Sequence, residues 1–202
     1  MSIIVLLIIV RFHYLIYIIN CLKNSSINDC TAFFEKNNIL YNYQFGFRKN
    51  HSTSMALLEF VDECYVNLDK NNIILGIYFN FQKAFDTVNH DILLNKLYNY
   101  GIRGIMFNWI KNYLYNRKQY TVVNNVSSDV ETINCGVPQG SVLGPLLFLV
   151  YINDISNVVT DSKLKLFADD TNLFIFGKNL TDVENKANKR QPQMHGRMVS
   201  GE

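Results

Sequence analysis

The stretch Leu164-Lys165-Leu166-Phe167-Ala168-Asp169-Asp170-Thr171-Asn172-Leu173-Phe174-Ile175-Phe176 decides the fold. Its two apolar runs, Leu164 to Phe167 and Asn172 to Phe176, read as short strands, and Ala168-Asp169-Asp170-Thr171 between them reads as the tip of a hairpin. Two adjacent carboxylates at such a tip repel each other unless a cation sits between them. Oxygen ligands completed by water and phosphate suit Mg²⁺, and two such ions roughly 3.5–4 Å apart can activate a hydroxyl and stabilise a leaving pyrophosphate. The plainer reading is a solvated turn, because Asp favours turns. The company the pair keeps decides between the two.

Upstream of the hairpin, Gly136-Val137-Pro138-Gln139-Gly140-Ser141 reads as a rigid loop leading into an apolar helix from about Val142 to Ile152, with Pro145 tolerable only in its first turn. Tyr120 to Val123 and Val130 to Cys135 read as an antiparallel pair around a polar turn region. Asn89 lies just ahead of Ile92, Leu93, Leu97 and Tyr98, which share one helical face, and Gly101 suits the left-handed stop after it. A second helix is expected from Ile105 to Leu114. Ile73 to Phe79 is a continuous apolar run ending at Asn80, as expected of a strand covered on both faces. Before it, Ser52-Thr53 can cap a helix in which Ala56, Leu57, Phe60, Val61, Cys64 and Tyr65 recur at helical spacing through Leu68. Thr31 to Lys36 reads as a short helix, followed by a polar, aromatic loop at Tyr41 to His51.

Composition bounds the function. The chain has 202 residues, 49% hydrophobic and 18% charged, which is enough for one domain burying roughly 70% of its unfolded surface. With 19 Lys+Arg against 17 Asp+Glu the net charge is +2, so any capture of nucleic acid or anionic lipid must be local rather than by a global field. Cys21, Cys30, Cys64 and Cys135 form no CxxC pair, and His13, His51, His90 and His195 are scattered, so neither a zinc ribbon nor a disulfide framework is supported. No Gly-Lys-Ser/Thr follows the glycines at 136, 140 and 144, which excludes a P-loop.

The two ends read differently from the middle. Of Met1 to Ile19, 16 residues are apolar, the exceptions being Ser2, Arg11 and His13. A membrane span, a buried apolar helix or strand, and a misassigned start of the reading frame all fit. A signal peptide does not, for want of a basic n-region and a small-residue cleavage site. At the other end, Lys189 to Glu202 is polar and is expected to fray. The expected divisions are an apolar segment over 1–32, a folded body over 33–180 and a polar tail over 181–202.

Four ordered motifs give the hairpin its context: Phe45-Gly46-Phe47-Arg48-Lys49-Asn50-His51-Ser52-Thr53, Lys83-Ala84-Phe85-Asp86-Thr87-Val88-Asn89-His90, the run from Gly136 to Asp154, and Phe167-Ala168-Asp169-Asp170. Together they closely resemble the reverse transcriptase domain of jockey-like non-long-terminal-repeat retrotransposons, from about Phe33 to Phe176. The resemblance implies an α+β fold, the right-hand polymerase palm with an antiparallel sheet backed by helices, with part of the fingers; no thumb is expected, because only 26 residues follow Phe176. It implies Mg²⁺ or Mn²⁺ as cofactor and an RNA template, a DNA primer and deoxynucleotides as partners, in the nucleus or cytoplasm, or at a membrane if Met1 to Ile19 inserts.

Residue by residue, the resemblance assigns Asp169 and Asp170 as metal carboxylates. The third should stand on the strand end, separated by two residues from the Lys-Ala-Phe-Asp box. Here that position is Asn80, a carboxamide, in Asn80-Phe81-Gln82-Lys83-Ala84-Phe85-Asp86. One negative charge is missing from a site that must hold two dications, so this copy is expected to be largely inactive. Asp86 is read as a carboxylate near the start of the next helix. Phe85 takes the place of an aromatic gate against the incoming sugar, or is simply core. Gln139 and Gly140 match a loop touching template and nucleotide. Arg48 is expected at the nucleotide, and Lys49, Arg117 and Lys118 at nucleic-acid phosphates; each basic pair could equally be a solvated loop. His90 is expected to serve packing. An inert nucleic-acid-binding remnant and a small membrane-anchored protein are the competing readings.

Overall fold

The computed structural model describes residues 28–115, 117–138, 140–159 and 162–188. Met1 to Ile19, Gln139 and the tail from Lys189 therefore lie outside the described residues. In chain order the elements are α1 (28–36), α2 (Thr53–Asp69), β1 (Ile73–Phe79), α3 (His90–Asn99), α4 (Gly104–Leu114), β2 (Arg117–Gln119), β3 (Val122–Val123), β4 (Val126–Ser127), β5 (Glu131–Ile133), α5 (Leu143–Ile152), β6 (Ser162–Phe167), β7 (Asp170–Gly177) and α6 (180–188). Among the described residues, no helix is long and apolar enough to cross a membrane.

The hairpin forms as its sequence directs. β6 and β7 pair antiparallel from Ser162 opposite Ile175 to Phe167 opposite Asp170, so the loop is only Ala168-Asp169. β1 adds antiparallel on the far side of β7, which makes β7 the central strand in the order β1-β7-β6. Strand alternation then separates two faces. Leu164, Leu166, Leu173 and Ile175 point into the core, each no more than 1% exposed. They share it with Leu93 and Leu97 of α3, Ile110 and Leu114 of α4, and most of α5. α5 buries Leu143, Gly144, Leu146 to Val150 and Ile152. A helix apolar on every side belongs inside, and this one does. Each buried leucine contributes about 1.5–3 kcal/mol relative to its exposed state.

α2 lies on the other face, where Phe60 stacks 4.3 Å from Phe174 and buried Lys165 reaches Glu59 at 3.4 Å and Glu63 at 3.8 Å. Ser52 caps it by accepting from Met55 N at 3.2 Å, as its sequence position predicts. Its apolar residues divide differently from expectation. Ala56, Phe60, Val61 and Cys64 are half-buried, whereas Leu57 and Tyr65 are 61% and 64% exposed.

Two further expectations are corrected. β1 is not covered on both faces: at the sheet edge it has no fully buried residue, and Tyr78 is 69% exposed. An apolar run alone does not say which strand is central; the pairing does. The second correction concerns residues 117–133. Arg117–Gln119, rather than Tyr120 to Val123, pairs with Glu131–Ile133, and Val122–Val123 folds back on Val126–Ser127. Asn124 and Asn125 supply the reason, since both take positive φ (49° and 62°) and close a two-residue turn that the strand pattern hides. Asn89 caps α3 as its position predicts, accepting from Asp91 N and Ile92 N, with Asp86 three residues ahead of the cap.

Candidate active site

The end of β1 and the hairpin tip meet by register. Phe79 faces Thr171 and Tyr78 faces Asn172, so one step further sets Asn80 beside Asp170. Thr171 is fully buried on the core side. By alternation Asp170, like Asn172, turns to the opposite face; Asn80 follows the last residue of β1, and both Asp170 and Asn80 are exposed. Asp169 is half-exposed in the turn itself. The two aspartates and the amide that resemblance singled out thus converge on one end of the sheet. Among the described residues no three His, Cys, Asp or Glu side chains gather to hold a metal ion.

The turn is held from one side by the segment that precedes α2. Leu166 N donates to Tyr43 O at 2.9 Å and Phe45 N to Leu166 O at 2.8 Å, laying this segment along β6. Between them the buried Gln44 turns its carboxamide inward. Its Oε1 accepts from Ala168 N at 3.0 Å and from Gly46 N at 2.9 Å, and its Nε2 donates to Ala168 O at 3.4 Å. Ala168 has φ +58°, a left-handed conformation that costs a non-glycine residue about 1–2 kcal/mol. Gly46 passes so close that a Cβ there would lie 2.2 Å from Ala168 N.

Arg48, expected at the nucleotide, has a different task. Its Nε and Nη2 donate to the two Glu35 oxygens at 2.9 and 2.6 Å and its Nη1 to Tyr41 O at 3.0 Å, with the side chain 8% exposed. The guanidinium ties α1 to the loop. Its hydrogen bond holds the Glu35 carboxyl below its ordinary pKa. Lys49 beside it is exposed, as is Lys118, while Arg117 is half-buried in β2 with its guanidinium 5.9 Å from the Tyr113 ring.

The Lys-Ala-Phe-Asp turn is fixed against the loop ahead of α5. Gly136 N donates to Val88 O at 2.7 Å and Val137 N to Phe85 O at 2.8 Å. Gly136, at φ +85°, sits where a Cβ would come 2.7 Å from Asp86 O. The buried His90 ring donates from Nε2 to Gly136 O at 2.8 Å, a packing role. Phe85 is half-buried, stacked 4.4 Å from Phe148 and edge-on to Phe47 at 6.0 Å. Gly140 is exposed at φ +76° with open space where a Cβ would stand. A cavity of about 470 Å³ opens at the β1 edge between Asn80, Phe81, Phe148 and Tyr151. The hairpin carboxylates Asp169 and Asp170 are not on its wall.

Two polar residues escaped sequence reading. Asn153 receives Tyr41 N at 2.7 Å and donates to Ile39 O and Tyr100 Oη, and Asp154 pairs with Lys96 at 2.6 Å. Both belong to a motif already quoted, yet they brace helices rather than the site. Gln44 stands one residue ahead of its motif, and nothing in its neighbours marks it.

An antiparallel sheet backed by helices, with paired aspartates at a hairpin tip beside the end of a neighbouring strand, defines the class: a template-directed polymerase domain of the reverse transcriptase kind. The family model described as "Reverse transcriptase (RNA-dependent DNA polymerase)" matches residues 15–192, and the chain belongs to this family. It is similar to the "Probable RNA-directed DNA polymerase from transposon BS" of Drosophila melanogaster, 34% identical over 123 residues, covering 58% of this chain and 13% of that protein. It is also similar to the "RNA-directed DNA polymerase from mobile element jockey" of the same species, 32% identical over 145 residues and covering 68% of this chain and 16% of that one. The jockey protein of Drosophila funebris is 34% identical over 115 residues, with 57% and 12% covered. The particular kind is therefore a jockey-like, non-long-terminal-repeat reverse transcriptase domain, and the chain spans less than a fifth of these relatives' length.

Proposed function

We propose that this chain forms the palm and part of the fingers of an RNA-directed DNA polymerase, with Asp169 and Asp170 as its metal carboxylates and Asn80 in place of a third. The observation that supports the reading is the β1–β7 register, which ends with Phe79 opposite Thr171, one residue short of Asn80 and Asp170. The donor set fits a hard cation in kind: two carboxylates and one amide oxygen at an exposed sheet end leave room for water and phosphate oxygens. Mg²⁺ or Mn²⁺, when bound, would supply charge to activate a primer 3′ hydroxyl and to stabilise departing pyrophosphate. The chain's own contribution is placement. The hairpin carries Asp169 in its two-residue loop and Asp170 at the first position of β7, and Asn80 follows the end of β1.

The partners on this reading are an RNA template, a DNA primer and deoxynucleotides. Exposed Lys49 and Lys118 are suited to backbone phosphates, with Arg117 beside them, and Gln139 and Gly140 to template and nucleotide. Phe85, wedged between Phe47 and Phe148, is a rigid wall against which a sugar could be gauged. Arg48 is left out, because its guanidinium is already paired. With two carboxylates instead of three, the site under-neutralises two dications, so primer extension by this chain is low.

Titration of Mn²⁺ by water-proton relaxation tests the assignment. The double variant Asp169→Asn, Asp170→Asn loses binding that the unaltered chain shows. Equal affinity in both would remove the hairpin tip from the metal site.

A further inference from the structure

Most of what faces the hairpin tip is accounted for by packing, but the Gln44 carboxamide is not. It is 3% exposed, it comes from a segment 124 residues away in the chain, and every hydrogen bond it makes goes to the backbone of the turn or of its own loop. In a two-residue hairpin loop the ladder ends at Phe167 opposite Asp170, so the N–H and C=O of Ala168 have no strand partner. Gln44 takes both. Its Oε1 serves two donors at once, Ala168 N and Gly46 N, which fixes the amide plane, and its Nε2 closes the ring on Ala168 O.

We propose that Gln44 is the positioning residue of the carboxylate turn: by gripping both polar atoms of Ala168 it holds that residue left-handed and so fixes the directions in which Asp169 and Asp170 leave the backbone. The physical need is local. A left-handed alanine followed by two like charges is an unfavourable loop, and a free hairpin would relax toward another turn. A metal site tolerates little displacement of its ligands, so the grip bears on affinity and not only on fold. Gly46 is the second half of the device, because only a residue without Cβ lets the Gln44 loop pass close enough to reach.

This rests on the assignment of Asp169 and Asp170 as the metal carboxylates, and two measurements separate the two ideas. Residue-resolved amide exchange by NMR reads the grip alone. In the unaltered chain the Ala168 amide exchanges as slowly as the ladder amides of β6, although it sits in the loop. Gln44→Leu, of similar size without polar atoms, speeds it about tenfold or more, the equivalent of one lost hydrogen bond. Gln44→Glu keeps the acceptor and leaves this amide slow. An Ala168 amide that exchanges freely in the unaltered chain overturns the proposal, a result that needs no variant to fold.

Mn²⁺ relaxation then reads the consequence: Gln44→Leu weakens binding about fivefold to tenfold at unchanged protection of the β1 and β7 amides, as one lost positioning hydrogen bond would. Unchanged affinity in a variant whose Ala168 amide has been freed overturns the positioning role. If the unaltered chain binds no Mn²⁺ while its Ala168 amide is slow and Gln44-dependent, the metal assignment fails and the positioning role falls with it, leaving the grip as fold alone.

Discussion

The α-carbon of Gly46 faces the backbone of Ala168 at a distance that leaves no room for a methyl group: a Cβ on Gly46 would stand 2.2 Å from the Ala168 nitrogen and 2.9 Å from its α-carbon. Both sides of this contact are main chain, which cannot rotate away as a side chain can. Gly46→Ala therefore forces the loop off β6 and breaks the Phe45 N to Leu166 O bond with it. The expected loss is about 2–4 kcal/mol, from overpacking together with a broken buried hydrogen bond. Urea unfolding of the variant measures it; a loss below about 0.5 kcal/mol, the range of ordinary surface substitutions, would mean the loop can yield.

The Glu35–Arg48 pair gives the fold an acid-sensitive clasp. Because the hydrogen bond from Arg48 lowers the folded-state pKa of Glu35 below its ordinary 4.5, its contribution to stability is fully present above that value. It is lost as pH falls through the lowered folded value. Arg48 is nearly buried and Glu35 is about one-third exposed, so solvent screening limits the pair to about 1 kcal/mol. Glu35→Gln should lower stability at pH 7 and flatten the decline below Glu35's ordinary 4.5. A variant with an unchanged acid profile would show that other carboxylates set it.

The turn at Asn124-Asn125 carries its own test. Both residues are left-handed, and a two-residue loop of that kind favours Asn-Gly. Asn125→Gly should be neutral or stabilise slightly, while Asn125→Val should cost about 1 kcal/mol or more, since a β-branched residue resists positive φ. Thermal unfolding of the two variants compares them directly, and equal midpoints would contradict the turn assignment.

What was legible in the sequence was local. The cap by Ser52, the cap by Asn89, the stop at Gly101 and the hairpin are each written within a few neighbouring residues, and the structure has all four, although the hairpin loop is Ala168-Asp169 rather than the four residues Ala168 to Thr171. What was hidden depends on contacts between distant segments. The apolar run Ile73 to Phe79 looks the same at an edge as at a centre, and only pairing with β7 decides. Arg48 looks like a phosphate ligand until Glu35 is found against it. Gln44 is a lone amide among aromatics in sequence and becomes significant only where the chain returns 124 residues later. The proposed site was legible as a constellation because resemblance, not periodicity, linked Asn80 to the hairpin, and β1 does pair with β7 up to Phe79 opposite Thr171.

The central claim is that Asn80 occupies the place of a catalytic carboxylate beside Asp169 and Asp170. The most direct test is primer extension on an RNA template by a complete jockey-like enzyme into which residues 73–177 of this chain are grafted, with Asn or with Asp at position 80. Asp restores one negative charge at nearly the same volume. The account predicts that the Asp form extends the primer about a thousandfold faster or more, the scale of several kcal/mol at a metal site. Equal extension by the two forms would contradict it, and would move the search for the third carboxylate to Asp86.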